Sequence, residues 1–155
     1  MSDTTDFVSA VGSAISAFAA CVAAVGVWYA RHQLKTSREI AQLQFEDALG
    51  KEYRELAGDL SKKALMGERL NDDEYEEAFD ELYRYVDLTN EQISLRARGR
   101  ITSDVWQSWL EGIERNLNLP AFAQAWNEIK TRSKGFEELR RLEREKFKSD
   151  PKDWR

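Results

Sequence analysis

Arg96, Arg98 and Arg100 stand in the run LRARGR, three guanidinium groups within five residues and no acid between them. A guanidinium donates through a planar fork that matches phosphate and carboxylate oxygens two at a time. The triplet therefore marks a candidate anion site, and a nucleotide or a DNA oligomer is the ligand chemistry it suits. A second reading stays open, because cations at a helix C-terminus also complement the helix dipole.

Other chemistry finds no set of residues. The lone histidine, His32, follows Arg31, and the lone cysteine, Cys21, lies in an apolar run. A single cysteine excludes a disulfide framework within the chain. Metal sites need His, Cys or carboxylates at fixed spacing; Asp72, Asp73 and Glu74 are acid-rich but read as a helix start. There is no glycine-rich phosphate loop, no GxSxG and no HExxH. Nor is there an arginine with a histidine a few residues on, the pattern of helical-bundle nucleases. We therefore expect a non-enzyme with no catalytic residue, no metal and no cofactor. The net charge of −5 gives no global attraction to nucleic acid. The charge is uneven, however. Residues 68–91 hold ten acids against Arg69 and Arg84, whereas the last 26 residues hold ten basic side chains against six acids. An acidic helix of one copy facing a basic C-terminal helix of another is one use of that asymmetry.

The elements that must carry these residues read as helices. The only prolines are Pro120 and Pro151, and alternating apolar patterns are scarce. Leu49, Tyr53, Leu56 and Leu60 form an apolar stripe on a charged helix spanning 31–66, with Gly67 past its end. Asn71 is placed to cap a second helix whose buried stripe is Tyr75, Phe79, Leu82, Val86, Thr89 and Ile93, with Gly99 as its break. Ser103 reads as the next N-cap, ahead of Trp106, Trp109, Leu110, Ile113 and Leu117 on one face. Pro120 suits the first turn of a fourth helix. A last helix over FEELRRLEREKF turns Phe136, Leu139, Leu142 and Phe147 inward, and Pro151 ends it. The tryptophans, by their spacing, belong to the core.

Residues 7–30 differ from all of this. They are 24 residues without a charge, preceded by Asp3 and Asp6 and followed by Arg31, His32, Lys35 and Arg38. As a helix they extend about 36 Å, enough for a hydrocarbon core of about 30 Å. Trp28 and Tyr29 stand where an interfacial aromatic belt would lie. A signal peptide requires a positive N-terminal region, and this one is acidic. Cationic flanks on the C-terminal side put the N-terminus outside and the bulk of the chain in the cytoplasm. The expected organisation is a short external N-terminus (1–6), a transmembrane helix (7–30), its extension (31–66) and a helical bundle (67–155): all-α, with one N-terminal span continuing into a cytoplasmic bundle of about five helices. A buried helix of a water-soluble protein is the rival reading.

On a helical wheel, Ser9, Gly12, Ser13, Ser16, Ala20, Ala23 and Ala24 fall on one side of the span. Val11, Ile15, Phe18 and Val22 fall on the other. Small residues four apart let backbones approach closely in lipid, so this is the face on which copies pack or around which they line a pore.

The stretch YVDLTNEQISLRARGRITSDVWQSWLEGIERNLNLPAFAQAW, with FEELRRLE and DPKDW after it, resembles a widespread, uncharacterised group of bacterial membrane proteins with one N-terminal span. The NEQ, WxxWxxGI and PAFxxAW elements carry the resemblance, which covers Tyr83 to Trp154. The layout is similar to small membrane effectors of bacterial antiphage systems, among them a Hailong-type channel controlled by a DNA oligomer and a CRISPR-associated membrane pore. That resemblance implies a homo-oligomer in the inner membrane, a regulated ion channel, and a nucleotide-type ligand or a signalling partner. The alternative is a membrane-tethered module that recruits a cytosolic partner without a pore. A nuclease or phosphohydrolase with an unrecognised site is a third expectation.

Overall fold

The computed structural model describes the backbone of residues 2–154, and among side chains those of Ala23 and of residues 25–154. Every helix and strand assignment in it is helical. The order is α1 (Ser2–Asp59), α2 (Lys62–Leu65), α3 (Asp72–Ala97), α4 (Ser103–Leu117), α5 (Pro120–Arg132), α6 (Glu137–Arg144) and a 3₁₀ turn (Pro151–Trp154). The all-α expectation holds. The chain divides into two compact units, Met1–Ala41 and Gln42–Arg155.

In the first unit, the expected small face falls outside the described side chains at Ser9, Gly12, Ser13, Ser16, Ala20 and Ala24, and Ala23 is exposed. Among the described residues no helix is long and apolar enough to cross a membrane. The side chains of most of segment 7–30 lie outside those described.

The second unit is built around α3, which packs against α5, α6 and the 3₁₀ turn. Leu82, Val86, Thr89 and Ile93 of α3 are buried with Trp106 of α4, Phe122 of α5 and Leu139 and Leu142 of α6. The α3 positions recur four, three and four apart, and the α6 pair three apart, as one buried face requires. Asn71 caps α3 as its sequence predicts. Its Oδ1 accepts from Glu74 N at 2.9 Å, and Glu74 accepts in return from Asn71 N at 3.1 Å. Gly99 breaks the chain after α3 in a left-handed conformation at φ 69°.

Three boundaries differ from the sequence reading. The helix expected to run to residue 66 stops at Asp59; Ser61 is extended at ψ 126° and α2 starts anew. That break brings Ala64 into the core, fully buried, with α2 against α5. The N-cap of α4 is Thr102, not Ser103, and Thr102 makes no side-chain cap. The buried carboxylate of Glu46, from α1, accepts from Thr102 N at 2.6 Å instead. Finally, α6 covers only 137–144. Phe136 precedes it at φ 62°, and Lys146 and Phe147 follow it at φ 55°. Left-handed backbone at these non-glycine residues ends the α-helix on both sides. Pro151 accordingly opens the 3₁₀ turn rather than ending α6. Phe136 is held there by edge-on contacts of its ring with Tyr83 at 5.8 Å and Trp126 at 6.2 Å.

Candidate functional site

The arginine triplet does not converge. Arg96 is 2% exposed and its donors are occupied. Nε donates to Asp150 Oδ1 at 2.8 Å, Nη2 to Asp150 Oδ2 and to Ser103 Oγ at 3.0 Å, and Nη1 to the carbonyl of Ile101 at 2.7 Å. Asp150 holds the guanidinium above its ordinary value, and Arg96 holds the Asp150 carboxyl below its own. This arginine ties the end of α3 to the start of α4 and to the approach of the 3₁₀ turn. Arg98 and Arg100 are exposed. The expected anion site therefore reduces to two surface arginines, with Arg96 serving the fold.

The densest set of cations lies elsewhere, at the junction of α5 and α6. There Lys130, Arg132, Lys134, Arg140 and Arg144 line an open cleft of about 590 Å³. Most of their donors are also spent. Lys130 pairs with Glu143 at 2.7 Å and Arg132 with Glu128 at 2.9 Å. Arg140 donates to the carbonyls of Lys130, Ser133 and Gly135, where it satisfies the frayed end of α5.

A third concavity has different chemistry. It is a cavity of about 380 Å³ within the second unit, walled by three helices. Helix α1 contributes Gly50, Tyr53 and Arg54; α3 contributes Tyr85 and Gln92; α4 contributes Ser108, Trp109, Gly112, Ile113 and Arg115. Gly50 with Tyr53 and Arg54, Tyr85 with Gln92, and Ser108 with Gly112 and Arg115 recur at spacings of three, four or seven, so each helix turns one side to the cavity. The floor is aromatic. The Tyr53 and Tyr85 rings lie 6.3 Å apart, and Tyr85 stands edge-on to Phe122 at 4.9 Å. Burial pushes the Tyr85 phenol up to about 12, so its hydroxyl keeps its proton at any physiological pH. Tyr53 is fixed by Asn116, whose Nδ2 donates to its hydroxyl at 3.3 Å.

Of these residues the sequence places Tyr53, Trp109 and Ile113 on apolar stripes, and Gln92 and Gly112 fall in the NEQ and WxxWxxGI elements. Nothing in the sequence marks Arg54 or Arg115 for a site, since they look like any polar helix positions. The one available signal was glycine within helices: Gly50 and Gly112 sit in helix interiors, where glycine costs about 1 kcal/mol relative to alanine.

No protein-family model, no curated protein and no solved structure matches this chain.

Proposed function

We propose that the protein is an oligomeric effector of the bacterial inner membrane. In this reading segment 7–30 spans the bilayer with the N-terminus outside. Copies pack through Ser9, Gly12, Ser13, Ser16, Ala20, Ala23 and Ala24, and the assembled helices form a regulated ion channel used in antiphage defence. The helical unit on the cytoplasmic side receives the signal, a nucleotide-type ligand or a partner protein.

One observation carries the membrane part. Val25, Val27, Trp28 and Tyr29 are all exposed on α1. At about 100° per residue they point to roughly 0°, 200°, 300° and 40° around the helix. A protein partner covers one face of a helix, whereas a medium that is apolar on every side suits a helix that is apolar on every side. Arg31, His32, Lys35 and Arg38 follow at once, the cationic border expected on the cytoplasmic side. In water these exposed side chains are a liability; in the interfacial zone Trp28 and Tyr29 are suited to their place.

A second reading, a tethered module without a pore, is favoured by the self-contained second unit, whose cavity is walled entirely by its own helices. Replacing residues 7–30 by an unrelated single span separates the two. The effector reading expects loss of membrane depolarisation, followed with a voltage-sensitive dye in cells expressing the protein, and the same loss from Ser13→Leu with Ser16→Leu. Depolarisation that survives either change removes the channel, and membrane-free protein after fractionation removes the span.

A further inference from the structure

The cavity between α1, α3 and α4 has the marks of a site built for a ligand. Gln92 is 5% exposed, yet its amide makes no side-chain hydrogen bond among the described residues and borders the cavity. The amide atoms are not sealed off, so they are accessible to the polar edge of whatever enters. The two glycines give an independent reason. A Cβ added at Gly112 would meet nothing within 4 Å, and one added at Gly50 would meet only the end of the Arg54 side chain, at 3.4 Å. Neither glycine has a positive φ. Helix packing and backbone conformation thus both tolerate a side chain at these positions, and what the glycines preserve is open volume. Arg54 and Arg115 line the same cavity, both exposed, and neither has an ion-pair partner among the described residues. Among the described residues no carboxylate lines it.

We infer that this cavity binds a small ligand made of one planar heteroaromatic ring and one anionic group, the chemistry of a nucleoside monophosphate. The ring lies among Tyr53, Tyr85 and Trp109, its polar edge meets the Gln92 amide, and the anion meets Arg54 and Arg115 at the mouth. Size selects within the class. A volume of about 380 Å³ is near the lower end of the ~300–1,000 Å³ range of small-molecule sites, which suits one ring and one phosphate and is too small for a dinucleotide. The amide provides both donors and an acceptor, so it can read a base edge of either polarity. Aromatic walls supply the sequence-tolerant part of the attraction, since every base has a π-face. The inference rests on the nucleotide-type signal proposed above and names its site and class, but it does not depend on the membrane span, because each residue it uses belongs to the unit Gln42–Arg155.

The test is calorimetric titration of the full chain in detergent micelles with AMP and with UMP, alongside adenosine, uridine and inorganic phosphate. We expect at least one nucleotide to bind with Kd below about 1 mM and at least tenfold more tightly than its nucleoside. Gly112→Leu should abolish binding by filling the cavity, while the melting temperature stays level or rises, because leucine is a far better helix former than glycine. Arg54→Gln with Arg115→Gln should erase the preference for nucleotide over nucleoside. Gln92→Leu should weaken both by about tenfold, the loss of one hydrogen bond to a polar edge. Absence of binding by both nucleotides, equal affinity for nucleotide and nucleoside, or binding undiminished in a folded Gly112→Leu protein would overturn the proposal. None of these readouts depends on insertion, assembly or depolarisation, so failure of the membrane reading leaves this result interpretable, and the reverse.

Discussion

Asp150→Ala tests whether Arg96 belongs to the fold. The substitution removes two of the four hydrogen bonds made by a guanidinium that is 2% exposed, and leaves Ile101 O and Ser103 Oγ as its remaining acceptors. Removing one partner of a buried ion pair costs about 3–5 kcal/mol, because the remaining charge is stranded away from water. Here the Asp150 side chain is 25% exposed, so water reaches the vacated side and the lower end, about 3 kcal/mol, is expected. The assay is urea unfolding of the full chain in detergent, followed by tryptophan fluorescence. Trp106 and Trp126 are both buried in the core that the pair closes, so unfolding alters their emission. The stronger form of the test is a double-mutant cycle. Arg96→Met with Asp150→Ala removes both charges, and should be more stable than Asp150→Ala alone by about 1 kcal/mol or more. Acid adds a third readout. Arg96 holds the Asp150 carboxyl below its ordinary 3.8 in the folded state. That contribution is therefore complete above the unfolded value and is lost as pH falls through the folded one. Below about pH 4 the wild type should lose stability faster than Asp150→Ala does. A cost under about 1 kcal/mol for Asp150→Ala, or single losses that simply add in the double variant, would refute the structural role and return Arg96 to the pool of ligand-binding groups.

Two further substitutions probe how the helices start and stop. Asn71→Ala removes the cap of α3 and should cost about 1 kcal/mol in the same unfolding assay, with no change in the slope against urea. Lys146→Gly relieves an exposed left-handed lysine at φ 55° and should stabilise the chain by about 0.5–1 kcal/mol; a loss of stability there would mean that the lysine side chain carries a contact.

The helical class and the buried faces were legible because they follow from local periodicity. Leu82, Val86 and Ile93 are spaced for one face of α3 and are buried there. The capping box at Asn71 and Glu74 was legible for the same reason, since both partners lie within one turn. The ends of α4 and α6 were not legible, because their donors are satisfied from far away in sequence. Glu46 accepts from Thr102 N across 56 residues, and Asn90 Oδ1 accepts from Leu139 N across 49. No window around Ser103 or Phe136 contains that information. The same limit hid the true role of Arg96. Its neighbours Arg98 and Arg100 are visible in sequence, whereas its partner Asp150 lies 54 positions away.

The correction at Arg96 changes where ligand chemistry is to be sought. Arginines close in sequence are spread around the end of α3 by helix geometry and by the turn at Gly99, and the one that faces inward is consumed by an internal carboxylate. Arg54 and Arg115 lie 61 positions apart in the chain, yet they line one cavity with residues of α3. Their charge has no internal partner among the described residues, and the Gln92 amide beside them makes no side-chain hydrogen bond to another described residue. A group that is already satisfied must give up a partner to bind, and so contributes little net free energy. By that measure the exposed pair and the Gln92 amide are the better place for an anion-bearing ligand, while the buried triplet member ties the end of α3 to Ile101, Ser103 and Asp150.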